Sequence, residues 1–122
     1  MLLLRTIFGS ALLIASIALQ VAPGAVAPDS QPRRIEVMAR KFAFLPSEIT
    51  LKKGEPVVLV LQSEDVLHGL RFKELNLDTE IHKNHSSELS FTPEKTGTLI
   101  GRCSRFCGKG HGEMTLTVHI TE

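Results

Sequence analysis

Tryptophan and tyrosine are missing from these 122 residues, and six phenylalanines supply the only aromatic rings. That removes the usual platform for stacking nucleic-acid bases or sugar rings. A surplus of either charge is missing too, the formal net charge being +1. Arg5 is the one charged residue before Asp29, so residues 29–122 carry thirteen basic and thirteen acidic side chains. A domain so balanced has no electrostatic footprint for nucleic acid. Beyond the N-terminal segment no stretch keeps a helical period, which argues against an α-helical fold. No carboxylate pair stands out to support hydrolytic chemistry. Cysteine is scarce as well: the chain has two.

What is present begins with an apolar leader. Between Arg5 and Asp29 there is no charge, and the continuous apolar run "TIFGSALLIASIALQV" is followed by the small-residue site "AVA" at 25–27. A basic start, an apolar middle and a small-residue site mark an exported protein. The run is also near the length that spans a bilayer. Residues 1–28 are therefore expected to be either a signal peptide or a single membrane anchor. Pro28 after the cut and the lone Arg5 weigh against cleavage. On either reading residues 29–122 form one domain outside the cytoplasm, periplasmic or otherwise extracytoplasmic. With 43% apolar residues the chain has enough to bury a core.

The rest reads as strands. "RIEVMA" alternates Ile35, Val37 and Ala39 with polar neighbours, and "SEITLKKGE" does the same with Ile49 and Leu51 before turning at Lys53-Gly54. "PVVLVLQS" is a valine-rich apolar run suited to a central strand. "SELSFT", "LIGRC" and the closing alternation of Met114, Leu116, Val118 and Ile120 complete the set. About seven short strands with turns at this spacing predict an all-β antiparallel sandwich. Residues 73–87, "KELNLDTEIHKNHSS", are polar and irregular and are predicted to be a loop. Met38 is expected in the core and His119 on the surface.

The chemistry concentrates in "CSRFCGKGHGEM", residues 103–114. Exported cysteines most often pair in a disulfide, and Cys103 and Cys107 stand close enough for one. A loop so short adds little stability, and the bridge leaves His111 and Met114 unexplained. Gly108, Gly110 and Gly112 argue against a helix, since each costs about 1 kcal/mol there relative to alanine. A glycine-rich loop between strands converges its side chains more readily. Thiolate and thioether sulfurs are soft donors and imidazole is intermediate, a mixture that suits copper. A thioether adds little to a zinc site. "SEDVLHGL" supplies a further donor, His68, at the exit of the apolar central strand. His68, Cys107, His111 and Met114 then make a two-histidine, cysteine and methionine copper set, and Cys103 adds a thiolate that lets two sulfurs bridge two ions.

The pattern Cys103-x3-Cys107-x3-His111-x2-Met114, with His68 in "DVLHGL" and the opening "KFAFLPSEITLKKGE", resembles the CuA domain of cytochrome c oxidase subunit II. The nitrous oxide reductase copper domain and small exported cupredoxins share it. The resemblance covers about residues 35–120. It implies a Greek-key cupredoxin sandwich holding two coppers bridged by Cys103 and Cys107. One ion would take His68 and Met114, the other His111 and the main-chain carbonyl of Arg105. Subunit II also carries a membrane hairpin, an acidic residue where Arg105 stands, and an aromatic residue in an acidic docking patch. Here one apolar segment is the most the chain offers, and Arg102, Arg105 and Lys109 make the loop basic, which disfavours a lysine-rich cytochrome.

The expected function is therefore an exported one-electron carrier with a binuclear copper centre. It is not an enzyme, and a free-standing carrier fits better than an oxidase subunit. A copper chaperone or store, a mononuclear blue-copper carrier in which Cys103 stays out, and a disulfide-linked module without metal are the alternatives. The partner would be a redox protein or a copper acceptor, with membrane contact only through the N-terminal segment. His82 and His85 in "EIHKNH" are expected to be exposed, and Asp65 to cap its turn or orient His68.

Overall fold

The computed structural model describes residues 31–122, together with Gly9, residues 16–20 and Gly24. The expected leader, 1–28, otherwise lies outside the described residues. Among those described, no helix is long and apolar enough to cross a membrane.

Among the described residues, nine strands build two sheets. They are β1 Arg33–Arg40, β2 Ala43–Leu45, β3 Glu48–Lys52, β4 Val57–Ser63, β5 His68–Phe72, β6 Leu77–Ile81, β7 Ser87–Phe91, β8 Gly97–Arg102 and β9 Thr115–Thr121. One sheet has the order β2-β1-β4-β7 and the other β3-β9-β8-β5-β6. Both are mixed: β1 runs parallel to β4 and β3 parallel to β9, while the remaining pairs are antiparallel. The all-β sandwich expected from the sequence is the fold, although its antiparallel pairing has these two parallel exceptions.

The period-two strands meet face to face. Val37 and Ala39 of β1, Leu59 and Leu61 of β4, Leu70 and Phe72 of β5, and Leu116 and Val118 of β9 are all buried in one core. Burying a side chain of this size contributes about 1.5–3 kcal/mol, so these strands hold the sandwich. β4 buries five of its seven residues, in keeping with its apolar run and its central place in the sheet. Phe72 and Phe91 cross between the sheets with ring centroids 5.9 Å apart.

Two expectations fail. Residues 73–87 are not all loop: Lys73–Leu75 form a 3-10 turn and Leu77–Ile81 form β6. Its residues alternate Leu77, Thr79 and Ile81 against Asp78 and Glu80, and it lies at the sheet edge, so carboxylates face solvent. Met38 is only half-buried. Its neighbours Val37 and Ala39 take the inward positions, which leaves Met38 on the outer face near Leu45.

The strand directions gather one set of loops at one pole. β1 and β4 end there, at Ala39 opposite Ser63. β5 begins there, with His68 opposite Ile81. β8 ends and β9 begins there, with Arg102 opposite Thr115. The segment 103–114 thus spans two adjacent strands directly beside the start of β5.

Candidate metal centre

His68 is the first residue of β5 and is fully buried. Its ring is aimed by the turn that precedes it. Asp65 accepts the Lys41 N–H at 2.8 Å on Oδ2 and the Val66 N–H at 2.6 Å on Oδ1. The same Oδ1 lies 2.7 Å from His68 Nε2. The buried Ser63 hydroxyl donates to the Val66 carbonyl and accepts the Asp65 N–H at 3.1 Å, tying the turn to the end of β4. Partial burial works against the Asp65 charge, but the N–H of Lys41, the His68 ring and the N–H of Val66 outweigh it and hold the carboxyl well below the usual carboxylate range. With Nε2 committed to the carboxylate, Nδ1 faces the sulfurs, 3.9 Å from Cys103 Sγ. Carboxylate, histidine and ligand face in one line is the arrangement that orients metal-binding imidazoles. Asp65 both caps its turn and fixes His68.

The cysteine loop closes against this ring. The Cys103 N–H donates to the Met114 carbonyl at 3.1 Å, which pinches the loop at its base. Cys103 and Cys107 are free and buried, with sulfurs 3.8 Å apart; a disulfide bond is about 2.05 Å. The Cys103 thiol lies 3.2 Å from the Arg105 carbonyl oxygen. Cys107 Sγ lies 3.7 Å from His111 Nδ1 and 4.0 Å from Met114 Sδ. Met114 is fully buried, whereas His111 sits half-exposed at the start of the 3-10 turn His111–Glu113. Phe106, 81% exposed, lies between the cysteines with its ring centroid 5.8 Å from that of His111.

All six groups expected from the sequence therefore lie along one line of contacts. Cys103 touches His68 and the Arg105 carbonyl, and Cys107 touches His111 and Met114. The donor atoms of His68, Cys103 and Cys107 fall within 4.8 Å of one another, all three residues buried. For tetrahedral bonds of about 2.3 Å to sulfur and about 2.0–2.1 Å to nitrogen, two ligands of one ion stand about 3.6–3.8 Å apart. The observed 3.7–3.9 Å separations match that spacing. Two sulfurs each flanked by a separate imidazole suit a soft metal such as copper.

Electrostatics set the resting state of the thiols. Burial, then the neighbouring Cys103 thiol, pushes the Cys107 thiol up to about 11. The Cys107 thiol of the metal-free protein is thus neutral at physiological pH, and a cation must displace its proton.

Phe42 forms the floor of the loop, a residue the sequence reading passed over. A β-carbon on Gly108 would come 2.9 Å from its ring, and one on Gly110 would come 2.5 Å. Gly108 also has φ +138°, which side chains rarely adopt. Two of the three loop glycines are there because the chain runs against an aromatic face. The loop is also less basic than its sequence implies. Arg105 does not add to a basic rim, because Glu80 Oε1 lies 3.2 Å from its Nε and Asp78 Oδ2 3.5 Å from its Nη1. His82 and His85 stack with centroids 4.4 Å apart, apart from the cluster, and His82 Nε2 lies 3.3 Å from Glu80. His119 is partly exposed beside Glu48.

Comparison with known proteins fits this geometry. The profile of the cupredoxin-like domain matches residues 9–116. The chain belongs to the cupredoxin-like domain family. Among its relatives, cytochrome c oxidase subunit 2 of Thermus thermophilus is 28% identical over 88 residues, which is 72% of this chain and 65% of that protein. A probable cytochrome c oxidase subunit 2 of Streptomyces coelicolor is 33% identical over 70 residues, 57% of this chain and 22% of that protein. This cupredoxin thus spans less than two thirds of the length of these curated relatives. The periplasmic domain of cytochrome oxidase subunit II from Bradyrhizobium japonicum superposes with a TM-score of 0.69 at 17% identity, covering 74% of this chain and 84% of that one. The cupredoxin sandwich and its relation to the subunit II copper domain agree with the resemblance drawn from the motif.

Proposed function

We propose that this cupredoxin is an exported one-electron carrier whose site holds two copper ions. The observation that carries the reading is the pair of free thiols 3.8 Å apart with His68 Nδ1 against one and His111 Nδ1 against the other. A mononuclear site would need one sulfur and would leave the second buried thiol without a purpose. In the proposed assignment Cys103 and Cys107 bridge the ions, His68 and Met114 complete one, and His111 and the Arg105 carbonyl complete the other.

When bound, the copper pair supplies a couple that gains and loses single electrons. What the protein contributes is rigidity. His68 is fixed by Asp65, Cys103 by the backbone bond to Met114, and the glycine loop by Phe42. A site held in one shape in both redox states needs little reorganisation. Exposed Phe106 against His111 brings the site to the surface, where a redox partner would meet it. Residues 1–28 are proposed to export residues 29–122, either as a removed signal or as an anchor. Service to a separate acceptor and service within an oxidase use the same site and differ only in the partner.

Copper counting tests this. The loaded wild-type protein is expected to hold two ions per chain and the Cys103→Ser variant fewer. One ion in both proteins would favour the mononuclear alternative. Oxidised Cys103 and Cys107 without copper, in protein taken from its native compartment, would favour the disulfide module.

A further inference from the structure

The carbonyl of Arg105 belongs to the backbone, so any residue could supply it, but its place depends on the shape of the loop and on whatever holds that shape. That loop, 103–107, has no regular structure of its own, and its anchors lie on the neighbouring strand. Asp78 and Glu80 occupy alternate positions of β6 and so share its outer face. Ser104 Oγ donates to Asp78 Oδ1 at 2.6 Å. The Arg105 guanidinium reaches Glu80 Oε1 from Nε at 3.2 Å and Asp78 Oδ2 from Nη1 at 3.5 Å. Nη1 also turns back onto the loop, donating to the Ser104 carbonyl and hydroxyl, each at 3.2 Å. The same two carboxylates stand opposite Gly69 and Arg71 of β5, the strand that His68 begins. Gly69 completes the seat, because a β-carbon there would come 2.1 Å from Ser104 Oγ.

We infer that the Arg105 side chain is a positioning residue: it straps the metal loop to the β5–β6 pair, so that its own carbonyl and Cys103 keep a fixed distance from His68. The inference rests on the proposed metal reading of the site. Stability alone is a poor explanation for these contacts. The Arg105, Asp78 and Glu80 side chains are 36%, 37% and 47% exposed, and ion pairs so exposed contribute little to folding. What they do is join two ligand-bearing segments that are 35 residues apart in sequence. The strap also ties Arg105 internally, which removes its charge from partner docking.

The test compares wild type, Arg105→Gln, Arg105→Lys and the double variant Asp78→Asn/Glu80→Gln. In metal-free protein the readouts are alkylation rates of Cys103 and Cys107 and amide exchange at Phe106 and Cys107. In copper-loaded protein they are affinity and the sulfur-to-copper absorption spectrum. Arg105→Gln is expected to keep its melting temperature, alkylate and exchange several-fold faster, bind copper about 10-fold more weakly and shift the absorption. Arg105→Lys should recover only part of this, since an ammonium lacks the fork. The carboxylate double variant should match Arg105→Gln, and combining all three changes should add nothing. Wild type in about 1 M salt, where exposed pairs are screened, should move the same way, which gives a reading that needs no folded variant. Unchanged alkylation, exchange, affinity and spectrum in Arg105→Gln would overturn the strap, as would wild-type values of all four in the lysine variant combined with no salt effect. Wild-type protein holding one copper or none would overturn the two-copper reading instead, and the metal-free readouts would still decide the strap.

Discussion

Changing Asp65 to asparagine keeps the shape of the side chain and removes its charge, and the contacts around it set the expected cost. The carboxylate's closest partners are the Lys41 N–H at 2.8 Å, the Val66 N–H at 2.6 Å and His68 Nε2 at 2.7 Å, with the Ser63 hydroxyl farther off at 3.4 Å. An amide offers one oxygen. If that oxygen stays with Val66 and His68, the amide nitrogen faces the Lys41 N–H, donor against donor. Leaving a backbone donor without its acceptor costs about 1–3 kcal/mol, which lowers the melting temperature by about 4–8 °C per kcal/mol in a domain of this size. Copper affinity has a separate term, because His68 loses the anion that orients it and raises its basicity. Outer-shell changes of this kind weaken binding by about 10–100-fold. The pH dependence has a definite sign. Asp65 stays ionised in the folded protein below the usual carboxylate range. Its contribution to stability is therefore complete above about pH 4, the pKa of an unfolded aspartate, and is lost as the pH falls further. The gap between wild type and Asp65→Asn should narrow as the medium is acidified. Urea melts across pH and titration against a copper chelator supply both measurements. An asparagine variant with wild-type copper affinity and an unchanged melt at pH 7 would refute the role given to Asp65.

Three further predictions follow from the site. Gly110→Ala places a β-carbon 2.5 Å from the Phe42 ring and should destabilise the protein by about 1–3 kcal/mol through overpacking, with Phe42→Ala relieving much of the loss; thermal melts of the two single variants and the double variant check it. Met114→Leu preserves a buried volume, so stability should change by less than about 1.5 kcal/mol, yet the absorption of the copper-loaded protein should shift, because the thioether is gone. In metal-free protein the Cys107 thiol, pushed up to about 11, should alkylate slowly at pH 8 relative to an unfolded control and accelerate only as the pH nears that value. Since folding favours the neutral thiol, the corresponding stability is present below the unfolded cysteine pKa and declines between about 8.5 and 11.

The parts legible in the sequence are those where local pattern and tertiary role coincide. β4 is an apolar run because it is central in its sheet and buries five of its seven residues, and β9 alternates because one face is wet. The 103–114 motif is legible because one tight loop carries five of the six proposed donors at fixed spacing. β6 was hidden for a physical reason. It is an edge strand whose outward positions carry Asp78 and Glu80, so its alternation has little apolar contrast. Met38 misleads in the opposite way: an apolar residue in a strand, it occupies the outward position of β1. The contacts of Phe42 with the loop glycines, and of Arg105 with the β6 carboxylates, are long-range, and no local pattern encodes them. From the sequence Arg105 counts with Arg102 and Lys109 toward a basic loop, whereas the fold pairs it with Glu80 and Asp78.

Cys103 and Cys107 are proposed to bridge two coppers jointly. Electron paramagnetic resonance of the copper-loaded, partly oxidised protein tests it most directly. A bridged pair should give the hyperfine pattern of an unpaired electron shared by two equivalent copper nuclei, and Cys103→Ser should lose it. A pattern from one copper nucleus in the wild type, retained when Cys103 is serine, would contradict it.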